Sequence, residues 1–172
     1  MDTYKIYTDG ATSGNGNEDA KGGSAFIIII NGKIVNMQAF PVENATNNIC
    51  ELKAVLEACQ RAQDWTGLYH WDAEYYVYTD SAYIVNCYKD KWYKKWQENG
   101  WLNSKKQPVA NKELWQRLIP YFHDKRYHFE KVAGHSGDKY NEIVDKMAVA
   151  IRQGKGIEEY SNRWLGYEEE GN

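Results

Sequence analysis

The dipeptide Asn31-Gly32 stands between the apolar run Gly22–Ile30 and the β-prone stretch Lys33–Phe40, and no other feature restricts the fold of this chain as strongly. Asn and Gly both tolerate positive φ, which a two-residue type I′ turn needs at its two central positions. The flanking runs are therefore predicted to pair as an antiparallel hairpin. Ahead of them, Tyr4–Thr8 is short, β-prone and closed by Asp9-Gly10, which predicts a third strand ending in a turn, with a polar loop to Lys21. The period then changes. Ile49, Leu52, Leu56 and Cys59 recur at helical spacing and predict a helix from about Asn48 to Gln63.

Strands and helices alternate from there on. Tyr75–Thr79 reads as a strand, Ser81–Tyr88 as a short helix and Trp92–Trp101 as a lysine-rich, helix-like excursion. Asn111–Phe122 carries apolar residues at helical spacing, Tyr127–Val132 is a strand, Ala133–Asp138 a Gly-rich loop and Lys139–Arg152 a last helix. Strands separated by helices favour parallel pairing through crossovers, whereas the opening strands pair by hairpins. The expected fold is mixed α/β: a five-stranded sheet with three antiparallel and then two parallel strands, covered by helices on both faces.

Without a Pro- or Ser-rich linker, 172 residues imply one compact domain, large enough to bury roughly 70% of its unfolded surface. Mean hydropathy is low at −0.76, but aromatic residues make up 15% of the chain and each ring buries a large area. A net charge of −3 excludes a globally basic nucleic-acid binder, so any basic footprint is local. One lies between Lys89 and Lys106, where six lysines face Asp90 and Glu98, a balance of +4, with three tryptophans interleaved. From Ile157 to Asn172 five glutamates face Arg163, a balance of −4, so residues 157–172 are expected to be an acidic C-terminal extension to a domain spanning 1–156.

Cys50, Cys59 and Cys87 are odd in number and lack CxxC spacing, which argues against a disulfide framework and against zinc. Position 1 leads almost directly into a strand, and the longest apolar run, Ala25–Ile30, is far too short to span a membrane. Without a secretion signal the sequon Asn44-Ala45-Thr46 is a chance match. A soluble, reducing, cytoplasmic setting is expected, with no membrane contact and no obligate protein partner.

Two strands end in Thr-Asp and a small residue, Tyr7-Thr8-Asp9-Gly10 and Tyr78-Thr79-Asp80-Ser81. If they are parallel neighbours, Asp9 and Asp80 project together at the carboxyl edge of the sheet, where open α/β sheets place their sites. Singly, each acid has a plain structural account. Asp9 is a turn residue, Asp80 a helix N-cap, Glu51 the N3 partner of a capping box opened by Asn48, and Asp145 part of a solvated helix face. His135 is a histidine in a glycine-flanked loop. Jointly, Asp9, Glu51, Asp80 and Asp145 sit on four elements that this topology can bring to one edge. Converging carboxylates repel unless a cation neutralises them, and an all-oxygen set suits Mg²⁺ or Mn²⁺. Four carboxylates can hold two ions about 3.5–4 Å apart, the arrangement that clamps both oxygens in phosphodiester cleavage.

Tyr7–Ala11, Asn47–Leu52, Thr79–Tyr83, Val132–Gly137 and Asn141–Asp145 resemble, in order, the signature blocks of bacterial-type (type 1) ribonuclease H, over about Tyr4 to Arg152. The resemblance implies the ribonuclease H-like fold and cleavage of the RNA strand of RNA–DNA hybrids by two Mg²⁺ ions, with Mn²⁺ able to substitute, leaving 3′-hydroxyl and 5′-phosphate ends. It implies that Asp9 bridges both ions, that Asp145 serves the ion activating water, and that Glu51 and Asp80 serve the other. It makes His135 a helper in proton transfer or product departure and Glu142 an auxiliary acid. It places Asn15, Asn47 and Asn48 along the minor groove, and Thr46 and Asn111 on DNA-strand phosphates.

Trp92, Trp96 and Trp101 with their lysines resemble the family's basic protrusion, in which Lys94, Lys95 and Trp96 are expected to meet substrate, the lysines by attracting phosphate and the tryptophans mainly by packing. The pattern departs at Gln97-Glu98-Asn99, a stretch that is basic in familiar members, and at Ala82, where a glutamine is common. Two other readings stay open: a nuclease of the same fold acting on DNA, and a non-catalytic hybrid-binding module. A monomer acting on a hybrid is expected.

Overall fold

The computed structural model describes residues 1–14, 20–67, 72–132 and 138–169. Five strands, β1 (Asp2–Ser13), β2 (Lys21–Ile30), β3 (Lys33–Glu43), β4 (Ala73–Thr79) and β5 (Tyr127–Lys131), form one sheet in the order β3-β2-β1-β4-β5. The β1–β2 and β2–β3 pairs are antiparallel, while β4 runs parallel to β1 and β5 parallel to β4. Asn31 and Gly32 have φ of 49° and 86°, the positive values on which the hairpin expectation rested.

The first strand departs from expectation. β1 runs through Asp9-Gly10 to Ser13 instead of turning there, because Asp9, Gly10 and Ala11 pair with Ala25, Ser24 and Gly23 of β2.

The run Ala25–Ile30 is continuously apolar because β2 is covered on both faces. Phe26 and Ile28 point into a core with Tyr4, Leu52, Trp115 and Phe129; Ile27 and Ile29 point into a second with Ile34, Val144 and Met147. The first core is roofed by α1 (Asn47–Thr66), α2 (Ala82–Asp90) and α4 (Lys112–His123), the second by α5 (Lys139–Arg152). The lysine-rich excursion is α3 (Trp92–Asn99). A sixth helix, α6 (Glu158–Trp164), has no counterpart among the elements expected from sequence, and Ile157, Tyr160, Trp164 and Tyr167 lie against the second core. All three cysteines are free and buried. Among the described residues no helix is long and apolar enough to cross a membrane.

Candidate active site

Tyr7 and Tyr78 are opposite one another in the parallel β1–β4 pair, so Asp9 and Asp80, each two residues further on, reach the same edge of the sheet. Thr8 ties the strands together there, its hydroxyl donating to the Tyr78 carbonyl at 3.1 Å. Asp9 is only 4% exposed, and its Oδ1 accepts the Gly10 amide at 2.9 Å. It is a strand residue, not a turn residue. Asp80 is not a helix cap either: Ser81 caps α2, with Oγ accepting from the Ile84 amide at 3.2 Å.

Glu51 reaches the edge from the other side. The cap of α1 is Thr46, whose Oγ1 accepts the Ile49 amide at 3.1 Å, so the capping box expected from Asn48 to Glu51 does not form. Glu51 lies a turn further in and owes nothing to the helix terminus. Two glycines seat α1 close to the sheet. A Cβ on Gly10 would stand 2.6 Å from the Glu51 amide nitrogen, and one on Gly22 would stand 2.3 Å from Cys50 Sγ. Ser24 completes the join, donating to the Cys50 carbonyl at 2.7 Å.

Asp9, Glu51 and Asp80 consequently each offer a carboxylate oxygen within 4.8 Å of the others. Burial, and next the Asp80 and Asp145 carboxylates, push Asp9 up to about 8. Burial, then Asp9 and Asp80, hold Glu51 well above the usual carboxylate range. Among the described residues Glu51 Oε2 is buried without a hydrogen-bond donor, so while all three acids are ionised its neighbours repel it. A cation would relieve that repulsion, and an all-carboxylate donor set fits a hard divalent ion. The fourth acid, Asp145, is exposed on α5 and close enough to Asp9 to raise its proton affinity, but stands outside the three-residue group.

The remaining expected site residues that are described lie on α1, α3, α4 and α5 or directly before them. Asn47 and Asn48 are exposed at the start of α1, beside Thr46, and Glu142 is exposed in the first turn of α5. Asn111 precedes α4 at φ 63°, and its side chain makes no hydrogen bond among the described residues. Lys94 and Lys95 are exposed on α3, with no ion pair among the described residues. Trp96 packs against Trp92, Trp101 and Trp115 at centroid distances of 6.3, 5.7 and 5.6 Å, so the tryptophans do pack the excursion onto the domain. Asn15 and His135 lie outside the described residues. The residues that set the geometry without belonging to the expected site are Thr8, Gly10, Gly22 and Ser24. Of these, Thr8 and Gly10 belong to the repeated Thr-Asp signal.

Fold and site together define an α/β protein with a cation-suited acidic edge on a mixed sheet. The family model described as RNase H matches residues 1–153. A protein of Thermoanaerobacter sp. (strain X514) named Ribonuclease H is 37% identical over 148 residues, covering 86% of this chain and 88% of that protein. Two solved structures share the fold. LC9-RNase H1 superposes with a TM-score of 0.70 at 24% identity, over 92% of this chain and 80% of that one. LC11-RNase H1, solved in complex with an RNA/DNA hybrid, superposes with a TM-score of 0.60 at 22% identity, over 83% and 94%. The chain belongs to the RNase H family, a family of enzymes.

Proposed function

We propose that this protein hydrolyses the RNA strand of RNA–DNA hybrids, with Asp9, Glu51, Asp80 and Asp145 holding two divalent ions, Mg²⁺ or Mn²⁺. The observation that carries the reading is the meeting of three carboxylates within 4.8 Å of one another, one of them with an oxygen buried and without a donor among the described residues. Membership of the RNase H family supports it, as does the likeness to LC11-RNase H1, which was solved with a hybrid bound. Bound ions there supply charge neutralisation and activation of the attacking water.

The protein's own part is placement. Asp9 is held by the Gly10 amide, so its carboxylate is in place for the ions without reorganising. Attack by water on phosphorus with departure of O3′ leaves 3′-hydroxyl and 5′-phosphate ends. Asn47 and Asn48 are exposed at the start of α1, one turn before Glu51, and short amides there would reach a minor-groove edge and sense the 2′-hydroxyl that separates RNA from DNA. Thr46 and Asn111 offer polar groups to the DNA strand, and Lys94 and Lys95 place positive charge toward its phosphates. Asn15 joins Asn47 and Asn48 in this account; His135 assists proton transfer or product departure, and Glu142 stands by as an auxiliary acid.

Labelled hybrid, double-stranded DNA and double-stranded RNA, each with Mg²⁺ and with or without chelator, test the reading. Chelator-sensitive cleavage confined to the RNA strand of the hybrid is expected. Cleavage of DNA would favour a DNA nuclease of the same fold, and tight hybrid binding without cleavage would favour a non-catalytic module.

A further inference from the structure

Beneath the acids, three tyrosine rings meet. Tyr7 precedes Asp9 by two residues, so the two share a face of β1, and Tyr78 lies two residues before Asp80, which directly follows β4. The rings stack with centroids 4.8 Å apart and planes at 25°. Tyr140, from the first turn of α5, leans on Tyr7 at 5.3 Å, and Tyr7 donates to Asp138, the N-cap of α5, at 3.4 Å. The three elements that carry Asp9, Asp80 and Asp145 are therefore joined by one ring from each.

The C-terminal segment holds this cluster from outside. The Tyr140 hydroxyl donates to Glu169 Oε1 at 2.6 Å. Next to it, Lys139 donates to the Tyr167 hydroxyl at 2.9 Å, its ammonium 4.2 Å from the centre of that ring. A cation at a helix N-terminus is disfavoured by the helix dipole, and the aromatic surroundings of Lys139 offset this. The segment is anchored in turn on β3: Ile34 donates to the Tyr167 carbonyl at 2.8 Å, Gly166 to the Ile34 carbonyl at 2.9 Å and Glu169 to the Gly32 carbonyl at 3.0 Å. It covers the edge strand of the sheet and meets the first turn of α5 at Glu169.

We propose that Tyr140 and Glu169 are positioning residues for the ion-binding acids, the C-terminal segment acting through Tyr140 to fix α5, and with it Asp145, against the strands that carry Asp9 and Asp80. The inference rests on the reading of these acids as ion ligands. Repelling carboxylates push their elements apart, so the spacing must be held from below. Asp138 already caps α5, with Oδ1 accepting from Tyr140 and Asn141 at 3.0 and 3.2 Å. The cap of α5 is therefore made without the segment, whose distinct contribution is the lateral tie. A segment that merely covered the sheet edge would add stability and leave ion binding alone.

Tyr140→Phe keeps the ring and deletes only the hydroxyl, Glu169→Ala deletes its acceptor, and Glu169→Gln retains one. The measurements are Mg²⁺ affinity by calorimetry on hybrid-free protein, then kcat and KM at saturating Mg²⁺, with thermal melts to confirm folding. Removing a direct partner of a metal ligand typically costs about 10–100-fold in affinity, so these remoter changes are expected to weaken Mg²⁺ roughly threefold to tenfold. KM for hybrid should stay within about twofold, and Glu169→Gln should behave as wild type. Unchanged Mg²⁺ affinity in both Tyr140→Phe and Glu169→Ala, with only the melting temperature lowered, would overturn the proposal and leave the segment a cover. If wild-type protein binds no Mg²⁺, the ion-binding reading of the acids has itself failed and the inference falls with it.

Discussion

Gly10 and Glu51 are in backbone contact: a Cβ on Gly10 would stand 2.6 Å from the Glu51 amide nitrogen. The strand bearing Asp9 and the helix bearing Glu51 approach as closely as a missing side chain permits, and that approach brings the two carboxylates together. Gly10→Ala must push α1 off the sheet, because the obstructing atoms belong to backbone and cannot rotate away. A loss of about 1–3 kcal/mol of stability is expected, the usual cost of overpacking. A fall in Mg²⁺ affinity should accompany it. Urea denaturation and calorimetry check both, and a variant that binds Mg²⁺ as wild type would show that the close approach is not what sets the site.

The raised proton affinity of Asp9 makes the stability of metal-free protein depend on pH. Folding lifts Asp9 from 3.8 to about 8, so across that window the folded state keeps a proton that the unfolded chain releases, and stability is lost as pH rises. Glu51 acts in the same direction. In EDTA the melting temperature is expected to fall by several degrees between about pH 5 and about pH 8, and Asp9→Asn or saturating Mg²⁺ should each flatten the slope. Equal slopes for wild type and Asp9→Asn would contradict this electrostatic account.

Lys94 and Lys95 are exposed on α3 and belong to no part of the carboxylate group. If they neutralise phosphates, replacing both with alanine should raise KM, leave kcat nearly unchanged and reduce the log–log salt slope by about 0.9 for each phosphate no longer neutralised. The effect should be alike for hybrids of any sequence, since lysines on phosphates position the protein without reading bases. Michaelis–Menten series at several salt concentrations decide the matter. An unchanged KM and slope would mean that hybrid docks elsewhere.

Much of this was legible in the sequence, for physical reasons that differ by element. The Asn31-Gly32 hairpin and the change to helical spacing at Ile49 are local signals, and the repeated Thr-Asp ending carries its own register, since matched residues on parallel strands arrive at one edge. Helix caps were less legible. Whether Thr46 or Asn48 caps α1 depends on which backbone is still extended, and it is Thr46, at φ −117° and ψ 162°. The continuation of β1 through Gly10 to Ser13 was hidden because Gly10 and Ala11 have little strand preference and are held by pairing with β2. In the C-terminal segment the charge balance masked Ile157, Tyr160 and Trp164, which are spaced by three and four residues as a packed helix face requires.

Asp9→Asn decides whether this carboxylate group binds the ions through which RNA in a hybrid would be cut. This change keeps the shape of a side chain that meets Glu51 and Asp80 and removes its charge. The measurement is Mg²⁺-dependent cleavage of a labelled RNA–DNA hybrid by wild type and variant at equal, saturating hybrid, with hybrid binding followed in parallel. Wild type is expected to cut the RNA strand, and Asp9→Asn to bind hybrid and melt no lower than wild type in EDTA while its cleavage falls to background. Substantial Mg²⁺-dependent cleavage by Asp9→Asn would contradict it.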